Sequence, residues 1–182
     1  YAKYDWRNPS WAGGFGQQVL GETWVSHHGD HGKESTRGVI NEAFKEHPVL
    51  RGVGDIWGPT DVYTVGRLKD ASILIYGQST SGMVSTAPVN LQKSIMPVAW
   101  TRTYRIPGGK EGKAFATTMG AAIDFLNEDL RRLLVNACFW AVGMEKQIPE
   151  KADVDFVSEY NPTMFGLELF RKGCLPSKYE MK

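Results

Sequence analysis

Three of the four histidines fall within five residues, in His27-His28-Gly29-Asp30-His31. Imidazole is the commonest protein ligand for zinc, and a nearby carboxylate such as Asp30 can join it. Adjacent ligands wrap an ion only where the backbone curls, which Gly29 and Gly32 permit. The loop is then a zinc site of His27, His28 and His31, a polar loop that contacts a substrate, or a loop whose rings simply hydrogen-bond to their neighbours. Asp61 and Tyr63 stand two apart in a short strand and so share one face. A carboxylate and a phenol on one face can bind sugar hydroxyls or do acid–base work; the alternative is a surface pair on a sheet edge. Arg102 shares a face with Trp100 and Tyr104, where it forms a structural ion pair or anchors a ligand. Six tryptophans are many for 182 residues. Trp100 and Trp140 lie in regular elements and read as core, whereas Trp6, Trp11, Trp24 and Trp57 lie in or near loops and suit stacking on a sugar.

Two other patterns carry no chemistry. Gly14-Phe15-Gly16 lacks the preceding strand that a dinucleotide fingerprint needs. Gly77-Gln78-Ser79-Thr80-Ser81 lacks both the second glycine and the helix of a nucleophile elbow.

The elements that must position these residues follow from periodicity. Residues 1–16 read as an ordered loop that buries aromatics, 17–20 as a helical turn, and 22–26, 35–40 and 61–65 as strands. Residues 72–76 hold the uninterrupted Ile73, Leu74 and Ile75 of a buried strand, and 78–94 form a long polar loop. Residues 96–105 alternate, Pro107-Gly108-Gly109 turns the chain, and 113–118 return, which is an antiparallel hairpin. Residues 127–142 give a helix: Asn127 caps it, and Leu130, Leu133, Leu134, Ala137, Cys138 and Ala141 make its apolar stripe. Gly143 stops it. Cys138 therefore reads as a small core residue. Several strands plus one strong helix make an α/β or α+β domain over 1–147, with an extended arm over 148–182 that packs on it. The chain opens on Tyr1, and an α/β sheet needs helices on both faces where only one strong helix is found. The expectation is of an N-terminally truncated domain that self-associates or joins its missing N-terminal half.

Composition is that of a soluble globular protein, with 42% hydrophobic and 23% charged residues. A net charge of +1 gives no basic field for nucleic acid or an anionic membrane, and no apolar run approaches the roughly 20 residues of a membrane span. Cys138 and Cys174 make no disulfide framework.

Several stretches together resemble the trehalose-utilisation (ThuA-like) family. They are Gly14-Phe15-Gly16-Gln17-Gln18-Val19-Leu20-Gly21-Glu22-Thr23-Trp24-Val25-Ser26-His27-His28-Gly29, His47-Pro48-Val49-Leu50-Arg51-Gly52-Val53, Asp55-Ile56-Trp57-Gly58-Pro59-Thr60-Asp61-Val62-Tyr63, Pro97-Val98-Ala99-Trp100-Thr101-Arg102, Ala116-Thr117-Thr118-Met119-Gly120 and Leu130-Arg131-Arg132-Leu133-Leu134-Val135-Asn136-Ala137. The resemblance implies a flavodoxin-like three-layer α/β/α sandwich related to class I glutamine amidotransferases, with the site at the C-terminal ends of parallel strands. It implies a role in carbohydrate catabolism, acting on or binding a sugar or keto-sugar. It is closest to versions from planctomycete-like bacteria, many of them exported, which implies an exported or periplasmic place. The sequence departs from the amidotransferase pattern at Met119-Gly120-Ala121-Ala122, which carries no His-Glu pair, so glutaminase activity is not expected. On this basis His28 is the candidate base, with Asp61 orienting it. His27, Trp24, Tyr63, Arg102, Thr118, Met119 and Gly120 are candidate sugar contacts. A non-catalytic sugar-binding domain and a zinc-dependent hydrolase are the alternatives.

Overall fold

A computed structural model describes residues 4–164, 166 and 172–180. Among the described residues, seven strands form two sheets. β1 (Ser26–His27) and β4 (Tyr63–Thr64) make a two-stranded ribbon in which His27 pairs with Tyr63. β2 (Ser35–Ile40), β3 (Trp57–Gly58), β5 (Ala71–Thr80), β6 (Met96–Arg105) and β7 (Glu111–Thr117) make a five-stranded sheet in the order β3-β2-β5-β6-β7. Every strand pair among the described residues is antiparallel. The β6–β7 hairpin runs in unbroken register from Ala99↔Thr117 to Arg105↔Glu111. Gly112, opposite Tyr104, is required there: an added Cβ would stand 2.6 Å from the ring's Cζ.

Alternation along β6 sends its side chains to two covers. On one face lies α1 (Glu128–Ala141), which begins where Asn127 Oδ1 accepts the Leu130 N–H at 2.8 Å. Leu130, Leu133 and Ala137 of α1 pack with Val49, Leu50, Leu74, Ile75, Val98 and Ala99 in the main core. On the other face Trp100, Arg102 and Tyr104 meet the N-terminal segment. Trp100 Nε1 donates to the Leu20 carbonyl at 2.7 Å and Arg102 Nη1 to that of Gln17 at 3.1 Å. Trp11, Val19 and Ala114 form a second, smaller core there, with Tyr104 and Ile106 beside it. The described part of the arm lies along α1, where Arg131 and Arg132 donate to the carbonyls of Val154 and Ala152. Residues 165, 167–171, 181 and 182 of the expected arm, and 1–3 of the opening loop, lie outside the described residues.

The expected flavodoxin-like, amidotransferase-like α/β/α sandwich is therefore wrong: the protein is mainly antiparallel β with one 14-residue α-helix among the described residues. The scarcity of helices is a property of this topology. Antiparallel strands are joined by turns and loops and need no crossover helix, and their outer face accepts a cover of loop. Among the described residues no strands pair in parallel, so no parallel strand ends offer a place for a site. Local expectations also change: the strand at 61–65 shrinks to Tyr63–Thr64, so Asp61 precedes it. The strand at 22–26 shrinks to Ser26–His27, leaving Trp24 in an exposed loop. The strand of residues 72–76 extends to Thr80, into the expected loop. Cys138 is exposed, because the buried face of α1 turns instead through Arg132 and Asn136. Arg132 is tolerated there because it is paired with Glu128 and Asp129.

Candidate functional site

Asp61 sits at the start of the stretch that becomes β4, and its side chain is 1% exposed. Each carboxylate oxygen takes one imidazole: His27 Nδ1 lies 2.6 Å from Oδ2 and His31 Nδ1 2.8 Å from Oδ1. A carboxylate only accepts, so both Nδ1 atoms donate, and in the neutral ring Nε2 keeps the lone pair. The two rings are about half-exposed, with centroids 5.1 Å apart. Tyr63 stands edge-on to His27 at 5.3 Å and Trp24 at 6.0 Å. Burial, then the charges of Asp61 and Asp124, push the Tyr63 phenol above its ordinary value, which keeps it a hydrogen donor.

These groups line a cleft of about 730 Å³, together with Thr60 and the turn of Thr117, Thr118, Met119, Gly120 and Ala121. That turn leaves the end of β7 and is held by Asp124, a carboxylate 1% exposed. Asp124 accepts the N–H groups of Gly120 and Ala121 at 3.0 Å each and the Thr60 hydroxyl at 2.8 Å. It thereby fixes one wall of the cleft to the residue before Asp61. The turn's amides are consumed internally, since Met119 N–H goes to Thr117 Oγ1. Among the described residues no Lys or Arg side chain pairs with Asp61 or Asp124.

The structure brings His27, His31, Asp61, Tyr63, Trp24, Thr118, Met119 and Gly120 together around the cleft. It leaves two candidates outside. His28 follows the end of β1, where the chain bends, and its Nε2 donates to the Ser94 carbonyl at 2.8 Å. Arg102 is spent on the Gln17 and Thr103 carbonyls. Asp124 was not among the residues singled out in the sequence. The available signal is a carboxylate shortly after Gly120, where it can collect the free amides at the start of a short helix (Ala122–Leu126).

His27, His31 and Asp61 each offer one ligand atom, all within 4.8 Å of one another. Two imidazoles and a carboxylate are a donor set that suits zinc, and His28 does not belong to it. Comparison of the chain with family models, with curated proteins and with solved structures finds no match. The chemistry must therefore be read from the arrangement itself: a carboxylate that fixes the tautomer of two rings is equipped for proton transfer.

Proposed function

We propose that the cleft binds a sugar or keto-sugar and that the histidines held by Asp61 move a proton on it. The observation that carries this is the single buried carboxylate with one imidazole on each oxygen, at the wall of an aromatic-edged cleft. The cleft's size lies within the range of small-ligand sites. Trp24 and Tyr63 offer rings to the apolar face of a sugar. Nε2 of His27 or His31 takes a proton from a hydroxyl, or from the carbon beside a ketone. Asp61 stabilises the imidazolium that results, and Tyr63 donates to the oxygen where charge develops. The base is assigned to these rings and not to His28, whose Nε2 is engaged by Ser94. The resemblance to the ThuA-like family supports sugars as the ligand class.

The test is incubation with disaccharides and their keto derivatives, followed by proton NMR. Product should form with the wild-type chain and fall by ~10²–10⁴-fold in His27→Ala or His31→Ala, with His28→Ala near normal. Saturable binding without product over long incubation would make the protein a binding module. No binding in this panel would remove the sugar assignment.

The clustering of donor atoms favours a second reading, in which His27, His31 and Asp61 hold zinc. Bound zinc would polarise a carbonyl or activate a water. Stoichiometric zinc in the wild-type chain, lost in the His27→Ala/His31→Ala double variant, would select it.

A further inference from the structure

The two rings on Asp61 are supported differently. His27 lies in β1, paired across the ribbon with Tyr63, and Ser26 Oγ meets Thr64 Oγ1 at 3.0 Å. His31 lies in the tight turn of residues 30–34, where Lys33 and Glu34 N–H both donate to the Asp30 carbonyl and Gly32 has a φ of +73°. The chain enters that turn from His28 and Gly29, whose N–H groups donate to the Val62 carbonyl, and among the described residues no backbone bond joins the turn itself to β1 or β4. Its anchor is Glu34, 7% exposed. Oε2 of Glu34 closes the turn by accepting the Asp30 N–H at 2.8 Å, and the same oxygen takes Lys93 Nζ at 2.6 Å. Oε1 takes Asn90 Nδ2 at 2.9 Å. Lys93 also reaches Asp30 Oδ1 at 3.2 Å. Burial would raise the Glu34 carboxyl, but the bonds from Lys93, Asn90 and the Asp30 N–H outweigh it and hold the group below its ordinary value. The loop of residues 81–95 is thus bolted to the turn that carries His31, and through His28 and Ser94 to the residue after His27.

We infer that Glu34 is a positioning residue: its carboxylate, clamped by Lys93 and Asn90, sets the turn of residues 30–34 so that His31 Nδ1 meets Asp61. The inference rests on the reading of Asp61 and its two rings as the proton-transfer group. Glu34 touches neither the rings nor any ligand; it acts through the turn.

The experiment is a long-range ¹H–¹⁵N NMR spectrum of the histidine rings at about pH 8, above the ordinary histidine range. In the wild-type chain both His27 and His31 should show the tautomer protonated at Nδ1. Glu34→Gln keeps the size but sets an amide NH2 against Lys93 or Asn90. His31 should then lose the Nδ1-protonated tautomer while His27 keeps it. Retention of both signals would overturn the inference and leave the reading of the site intact. Loss of both together would show general loosening and would also overturn it. Absence of the Nδ1 tautomer from both wild-type rings would overturn the reading of the site itself, before any variant is made. If Glu34→Gln does not fold, Lys93→Met leaves Glu34 in place and should shift His31 in the same direction, with Lys93→Arg restoring it. An unchanged His31 in Lys93→Met would count against the inference in the same way.

Discussion

Two cavities of nearly equal size differ in what lines them. The cleft of about 730 Å³ is walled by His27, His31, Asp61 and Tyr63. The groove of about 700 Å³ is walled by Tyr4, Trp11, Phe15, Val19, Tyr104 and Ile106, with Asp5 at its rim. Volume does not separate them; the state of their carboxylates does. Asp5 is paired with Arg7, whose side chain and backbone N–H hold its carboxyl well below the usual range. Asp61 and Asp124 are buried without a Lys or Arg partner among the described residues. Burying a carboxylate away from a cation costs stability that an apolar wall would not. Asp61 lines the cleft and Asp124 holds the turn that walls it, whereas the groove is lined mostly by large rings that meet over the sheet.

The largest effect expected from this contrast is in Asp61→Asn. The amide can accept from one ring only and must donate to the other, so one imidazole is forced into the wrong tautomer. Turnover should fall by about 10⁴-fold, as for a mis-set tautomer in other histidine catalysts, with a small change in melting temperature. Phe15→Ala in the groove should leave turnover unchanged. A loss in Phe15→Ala comparable to that in Asp61→Asn would reverse the assignment of the two cavities.

Next comes Trp11→Ala. Trp11 is 8% exposed and packs edge-on to Tyr4 at 4.7 Å. Its removal should cost about 3–5 kcal/mol in urea unfolding, the usual cost for a buried tryptophan. At a temperature where the variant stays folded, the cleft should keep its activity. A stability cost near zero would show that the second core does not hold the sheet.

The contrast between the cavities was only partly legible in the sequence. The hairpin, read as 96–105 and 113–118 and formed by 96–105 and 111–117, and the helix capped by Asn127 could be read because their signals are local: alternation, a Pro-Gly-Gly turn and a cap. The order β3-β2-β5-β6-β7 could not, because it is decided by pairings such as Ser35↔Thr80, far apart in the chain. At the site, Asp61 and Tyr63 were singled out as a pair two apart on an expected strand, although the strand formed is Tyr63–Thr64 and Asp61 precedes it; the loop histidines were singled out by their density. The choice among the three histidines was not legible, since it depends on contacts across the fold, His28 with Ser94 and His27 and His31 with Asp61. Asp124 and Glu34 were invisible for a related reason. Their partners are mostly backbone amides and a distant lysine, which leave no mark in a single sequence.

Asp124→Ala sharpens the contrast from the polar side. It leaves the N–H groups of Gly120 and Ala121 and the Thr60 hydroxyl without their acceptor. The stability loss should be about 1–3 kcal/mol, the cost of stranded buried donors. Because the wall beside Thr118–Gly120 moves, KM should rise more than kcat falls. An unchanged KM with a large fall in kcat would place Asp124 in the chemistry and not in the wall.

The smallest effect concerns pH, and it separates a titratable group that serves the core from those that serve the cleft. His47 lies under α1, with Nδ1 accepting the Val49 N–H at 3.2 Å and its ring 5.7 Å from Trp140. Burial first, and the charge of Lys113 second, lower its pKa from the ordinary 6.5. Above that ordinary value the ring is neutral whether the chain is folded or not, and His47 adds no pH dependence. As the pH falls below it, the unfolded chain takes up the proton first, so folding stability declines until the folded state also titrates. The slope from this one group cannot exceed about 1.4 kcal/mol per pH unit. His47→Gln should remove this slope, measured by urea unfolding between about pH 7 and pH 5. It should leave the shape of the turnover profile as it was, because the proposed function assigns the proton transfer to His27 and His31. A turnover profile displaced by His47→Gln would mean that the core and the cleft titrate as one unit, and the division between them would have to be redrawn.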